Sequence, residues 1–200
     1  MHIHFCNKLI NNLNSKLDMK ITLSGTPGSG KSTAAKELAK KLGYRHFSMG
    51  DFQRELAKER GLTILEWGKL EATDKKYDLM VDEKQVKLGK ENDNFVLDSW
   101  LAPKFIPDSF KIFLDADIDI RVKRRLGQKR TEESFADVKK AKKEMLEREK
   151  VNRERWYRYY KYDYTDMKNY DFVVDTTKIG IKATVAKILK RLDTISNSTR

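Results

Sequence analysis

From Met19 onward, short runs of apolar residues alternate with longer stretches whose apolar positions recur every three or four residues. The runs at 20–24, 44–48, 94–98, 110–115 and 171–175 read as strands. Val96-Leu97 and Ile112-Phe113-Leu114 are continuous rather than alternating, as in strands buried on both faces. Helical periodicity covers about 31–42, 51–60, 63–70, 74–90, 117–127, 132–160 and 180–193, and Thr63 with Glu66 makes a capping-box signature at the start of one of these stretches. This alternation predicts one α/β domain, a parallel sheet sandwiched between helices. The 200 residues hold no internal repeat and no low-complexity linker. The expected organisation is a polar, disordered extension over 1–18, a domain over 19–193 and a tail over 194–200.

Composition narrows the setting. The only cysteine is Cys6, which rules out a disulfide framework and a cysteine zinc site. His2 and His4 read as part of the disordered terminus rather than as a metal pair. No apolar run approaches the roughly 18 residues that would span a bilayer, and the first 18 residues lack the apolar centre of a secretory signal. A cytoplasmic protein with no membrane partner is the expectation, with a monomer as the default. The net charge of +12 suits nucleic acid, an anionic membrane or a polyphosphate ligand. Its distribution is uneven: Arg121 to Lys161 holds 16 basic and 7 acidic residues, most of the excess.

The most informative segment is Gly25-Thr26-Pro27-Gly28-Ser29-Gly30-Lys31-Ser32, which fits G-x-x-x-x-G-K-[ST] in full. A strand precedes it and a helix follows, as the chemistry requires. Glycines let successive backbone N–H groups curl inward around phosphate oxygens, and the helix presents its positive end to the same anion. Lys31 reaches the β- and γ-phosphates of ATP, the Ser32 hydroxyl ligates Mg²⁺, and Thr33 completes the cradle. A guanine signature Asn-Lys-x-Asp is missing, since Thr177-Lys178-Ile179-Gly180 does not match it. One domain of this size leaves little room for a motor's second lobe, so a small kinase is the best class.

Such a kinase also needs an acceptor site, an acid near Mg²⁺ and cations around the moving phosphoryl group. After the second strand, Asp51 is placed to cap a helix, and Arg54 either clamps an acceptor phosphate or is an ordinary exposed arginine. Asp98 ends the third strand, where it can orient Mg²⁺ through water, contact the acceptor or cap a turn. Arg124 and Arg130 flank Gly127 in a candidate lid, and Arg148 and Arg155 share one face of the long helix that follows. With Lys31, these four arginines form the candidate catalytic set. The many lysines around them read as a solvated surface.

These residues resemble the cytidylate kinase family, particularly its archaeal branch, over roughly Met19 to Leu192. The resemblance rests on Gly25–Ser32, on Ser48-x-Gly50-Asp51-x-x-Arg54-x-x-Ala57, and on Arg148-Glu149, Arg155-Trp156, Asp163, Asp166, Tyr170-Asp171 and Asp175-Thr176. It implies a P-loop NTPase fold with a five-stranded parallel sheet, an acceptor-binding insert over about 51–90 and an arginine lid over about 124–134. It also implies transfer from ATP to CMP or dCMP, with Arg54 on the acceptor phosphate and Arg148 and Arg155 at lid-side phosphate and sugar positions.

Two positions leave the family pattern, both on the acceptor side. Trp100 stands where an arginine is usual, and Asn152 where some members carry a ribose-reading acid. Trp100 either lines the acceptor pocket and stacks on the base, or points into the core while another cation such as Lys104 takes over. Other readings of the whole chain are an adenylate kinase, a dephospho-coenzyme A kinase and a non-catalytic ATP sensor. A nucleic-acid-binding ATPase is a further reading, suggested by Trp156-Tyr157-Arg158-Tyr159-Tyr160.

Overall fold

The structure, a computed structural model, describes residues 19–127 and 135–198. Five parallel strands form one sheet: β1 (Lys20–Gly25), β2 (Arg45–Ser48), β3 (Phe95–Asp98), β4 (Phe110–Asp115) and β5 (Phe172–Asp175). Their order is β2-β3-β1-β4-β5, so β1 lies at the centre between β3 and β4. The continuous apolar runs occupy the inner strands because helices cover both faces there; Val96, Leu97, Ile112 and Leu114 are fully buried.

Helix α1 (Lys31–Leu42) and the last helix, α8 (Ile181–Ser198), pack together on one face. Ala34, Leu38, Val185 and Ile188 close the main core over Ile21 and Leu23. On the other side, three helices form the insert between β2 and β3: α2 (Met49–Glu59), α3 (Ile64–Thr73) and α4 (Lys75–Glu91). The capping box forms as read: the Glu66 N–H donates to the Thr63 hydroxyl and the Thr63 N–H to the Glu66 carboxylate. Trp67 fills the centre of the insert and donates its indole N–H to Glu71. The remaining helices are α5 (Ala102–Phe105), α6 (Ile118–Leu126) and the 26-residue α7 (Phe135–Tyr160), with a 3₁₀ turn at Met167–Asn169.

One boundary differs from the sequence reading. The expected tail over 194–200 is helical as far as Ser198, and the Thr194 and Ser198 hydroxyls donate to the carbonyls of Lys190 and Thr194 one turn back. No helix among the described residues is long and apolar enough to cross a membrane.

Candidate functional site

Parallel pairing puts the carboxyl ends of all five strands on one edge, and a cleft of about 760 Å³ opens there. It runs from the loop after β1 to the helices of the insert.

The loop is wedged closer to its neighbours than any side chain would permit. Gly25 has φ 153°, and a Cβ there would lie 2.3 Å from the Leu114 carbonyl oxygen; Gly28 has φ 82°, and its Cβ would lie 2.7 Å from that of Arg121. Thr26 fastens the loop to β4, its N–H donating to Leu114 O at 3.1 Å and its hydroxyl to Asp115 Oδ1 at 2.8 Å. Pro27, Gly28, Ser29, Gly30, Lys31, Ser32 and Thr33 line the cleft. Helix α1 begins there with no side-chain cap and no acid in its first turn, which leaves its positive end for an anion. Among the described residues the buried Ser29 hydroxyl has no hydrogen-bond partner.

At the centre, Lys31 Nζ contacts Oδ1 of Asp98, which is 2% exposed. Burial, then the charges of Arg148 and Arg54, push the Lys31 ammonium below the ordinary lysine range. The Ser32 hydroxyl and the Asp98 carboxylate are hard oxygen donors on the same cleft. Mg²⁺ commonly takes one or two protein oxygens and completes its shell with phosphates and water. The Ser32 and Asp98 oxygens suit such an ion by their chemistry; the described residues contain no group of three or more His, Cys, Asp or Glu able to hold a metal alone.

On the insert side, the Ser48 hydroxyl accepts from the Asp51 N–H and caps α2, so the expected cap at Asp51 falls three residues earlier. The Asp51 carboxylate instead pairs with Arg54. Arg54 lines the cleft and Asp51 does not. Arg148 and Arg155 also line it, in different states. Arg155 is 4% exposed and lies 3.6 Å from Glu71 and 3.4 Å from Asp78. The Arg148 guanidinium lies 4.9 Å over the Trp100 ring. Asn152 does not line the cleft.

Trp100 combines the two sequence readings: it borders the cleft and packs in an aromatic cluster with Trp156 and Tyr164. Its N–H donates to the Gly25 carbonyl at 2.8 Å. Lys104 lies outside the cleft, over the rings of Phe105, Tyr160 and Tyr162. Within the aromatic run of α7, Trp156 is 4% exposed, Tyr159 and Tyr160 are half-buried, and Tyr157, at 56%, is the most open ring.

At the far end, Arg124 lines the cleft but directs its guanidinium to protein oxygens. It donates to Thr176 O at 2.6 Å, Thr176 Oγ1 at 3.0 Å, Ile179 O at 3.3 Å and Ser29 O at 3.4 Å. This ties the loop to the turn after β5, a bracing role that differs from the expected free lid cation. Arg130, and the lid beyond Gly127, lie outside the described residues.

The sequence reading missed a buried polar wall on α4. Asp78, Asp82 and Gln85 line the cleft beside Ser99, whose hydroxyl donates to Gln85 Oε1 at 2.6 Å. Tyr160 donates to Asp82. Burial raises the Asp82 carboxyl to about 7, opposed by the Tyr160 bond, and the Asp78 carboxyl to about 6, opposed by Arg155. The signal was present as polar residues at 78, 82 and 85 on the same helical face as Val81 and Leu88.

Comparison with known proteins agrees with this geometry. A family model described as the cytidylate kinase-like family matches residues 20–178. A cytidylate kinase of Methanocella arvoryzae is 37% identical over 180 residues, covering 90% of this chain and all of that protein. One of Natronomonas pharaonis is 39% identical over 174 residues, covering 84% and 87%. Among solved structures, a shikimate kinase of Bacteroides thetaiotaomicron superposes with a TM-score of 0.60 at 17% identity, covering 88% of this chain and 98% of its own. An uncharacterised protein of Eubacterium ventriosum superposes with a TM-score of 0.66 at 20% identity, covering the same shares. The structural likeness carries the fold; the sequence matches span the loop, the insert and α7, and by them the chain belongs to the cytidylate kinase-like family.

Proposed function

We infer that the protein transfers the γ-phosphoryl group of ATP to a nucleoside monophosphate, with CMP or dCMP as acceptor. One observation carries the reading. A single cleft places the Lys31–Asp98 pair between the anion-binding loop on one side and Arg54, Arg148 and Arg155 on the other. The family and its relatives named cytidylate kinase supply the base.

In this reading the loop and the start of α1 hold the β- and γ-phosphates, and Arg124 keeps the loop in shape through Ser29. Lys31 leaves Asp98 to follow the γ-phosphoryl, where growing negative charge rewards a nearby cation. Ser32 and Asp98 are the residues that would hold Mg²⁺, which neutralises charge between the β- and γ-oxygens when bound. Arg54 fixes the acceptor phosphate. One of its oxygens bonds to the γ-phosphorus as the bond to the β–γ bridging oxygen breaks, leaving ADP and CDP.

An ADP-release assay over all common nucleoside monophosphates, with shikimate and dephospho-coenzyme A included, tests this. CMP and dCMP should turn over fastest and only with a divalent metal. Tight ATP binding without any nucleoside diphosphate product would overturn it.

A further inference from the structure

Trp100 follows β3 by two residues and stands between the phosphate loop and α7, which Arg121 of α6 also links by bonding to the Pro27 carbonyl and to Glu149. Its carbonyl accepts from the Ser24 hydroxyl at 3.0 Å, and its indole N–H donates to the carbonyl of Gly25, where the phosphate loop begins. Its ring rests against Trp156, with centroids 5.3 Å apart, and Tyr164, 6.1 Å apart. The indole is thus held at its backbone, its nitrogen and its ring. It offers a ring face to the cleft, and the Arg148 guanidinium lies on it at 4.9 Å.

Arg148 and Arg125 differ from Arg54, Arg155 and Arg124 in how their donors are used, and of these two it is Arg148 that lies over an aromatic ring among the described residues. Arg54 pairs with Asp51, Arg155 lies among Glu71 and Asp78, and Arg124 is spent on Ser29, Thr176 and Ile179. Arg148 makes no ion pair and donates no hydrogen bond among the described residues; the ring contact is what locates it. A stacked guanidinium keeps its in-plane N–H groups available to phosphate oxygens, whereas one paired with a carboxylate does not. The platform is tied to the start of the phosphate loop by the bonds to Ser24 and Gly25.

We propose that Trp100 is a positioning residue for phosphoryl transfer, holding the Arg148 guanidinium in register with the phosphate loop while leaving its donors free for the substrate phosphates. The inference rests on the kinase reading above and adds a route, from Gly25 through the indole to Arg148, by which α7 is aligned with the loop. Trp100 touches no reacting atom; its effect on the reaction passes through Arg148.

A double-mutant cycle tests this in the full chain, with CMP phosphorylation, ATP KM and melting temperature measured for Trp100→Leu, Trp100→Phe, Arg148→Ala and the double variants. Trp100→Leu should lower kcat by about 10-fold or more, no further than Arg148→Ala does. The Trp100→Leu/Arg148→Ala protein should be no slower than Arg148→Ala alone, because a residue acting through Arg148 has nothing left to position. Trp100→Phe keeps a ring face but loses the N–H tie to Gly25 and should fall between the native protein and Trp100→Leu, again only while Arg148 is present. Its intermediate loss carries the cycle if the leucine variant does not fold. Independent, multiplying losses from the two sites would overturn the proposal and leave Trp100 as packing. A wild-type protein inactive on every nucleoside monophosphate would instead remove the kinase reading, and the proposal with it.

Discussion

Lys31 and Asp98 meet across the floor of the cleft, one at the first residue of α1 and the other at the last residue of β3. The contact couples a loop built for anions to a carboxylate that is almost wholly buried. It holds the lysine where a γ-phosphoryl group would next draw it away. Removing the ammonium should therefore affect transfer far more than architecture. Lys31→Ala is expected to remain folded by circular dichroism and to lose about 10³-fold in kcat. A folded variant with near-normal turnover would contradict the assignment.

Arg54 stands on the insert side of the cleft, paired with exposed Asp51. Arg54→Ala should raise the KM for CMP by about 10-fold or more and leave that for ATP within about 2-fold. Steady-state kinetics with each substrate varied in turn check this, and equal shifts would place Arg54 outside the acceptor site.

Asp82 faces Tyr160 and Gln85, with Asp78, Arg155 and Glu71 close by. Its carboxyl is raised to about 7, against about 3.9 in an unfolded chain. The folded protein thus binds this proton more tightly than the unfolded one. The resulting stability is complete below about pH 4 and is lost as pH rises through about 7. Asp78, raised to about 6, acts with the same sign. Asp82→Asn should melt several degrees above the native protein at pH 8, less so at pH 5, and show little advantage at about pH 4. Equal differences at all three pH values would show that Asp82 does not titrate in this range.

Gly25 cannot accept a Cβ without displacing the Leu114 carbonyl. Gly25→Ala should cost several kcal/mol and weaken ATP binding along with stability. Thermal melts with and without ATP measure both. An alanine variant as stable as the native protein would mean that the loop has another conformation available.

The strands were legible almost to the residue, β3 and β4 because strands buried on both faces are written as unbroken apolar runs, and the partly exposed edge strands β2 and β5 by their place between helical stretches. The loop was legible because its geometry demands glycines at fixed spacing. What stayed hidden depends on contacts between distant segments. The charge pattern of α4 reads as ordinary solvated helix until Asp78 and Asp82 are seen under α7, next to Arg155 and Tyr160. Arg124 reads as a lid cation until its carbonyl partners in the β5–α8 turn are known. Trp100 gave two readings because no local pattern tells where an indole N–H will find an acceptor. Helix α5 went unread because four residues, one of them Pro103, carry no periodicity.

The central place of β1 has a consequence for synthesis on the ribosome. The strand that carries the phosphate loop leaves the exit tunnel early, yet its sheet partners are β3 and β4, and Thr26 bonds to Asp115, 89 residues later. Pairing so distant in sequence must await chain that has not yet been made. A nascent chain released before β4 emerges would carry every residue of the nucleotide motif and none of its geometry. Capture on immobilised ATP should therefore begin only once the segment through Asp115 has cleared the tunnel.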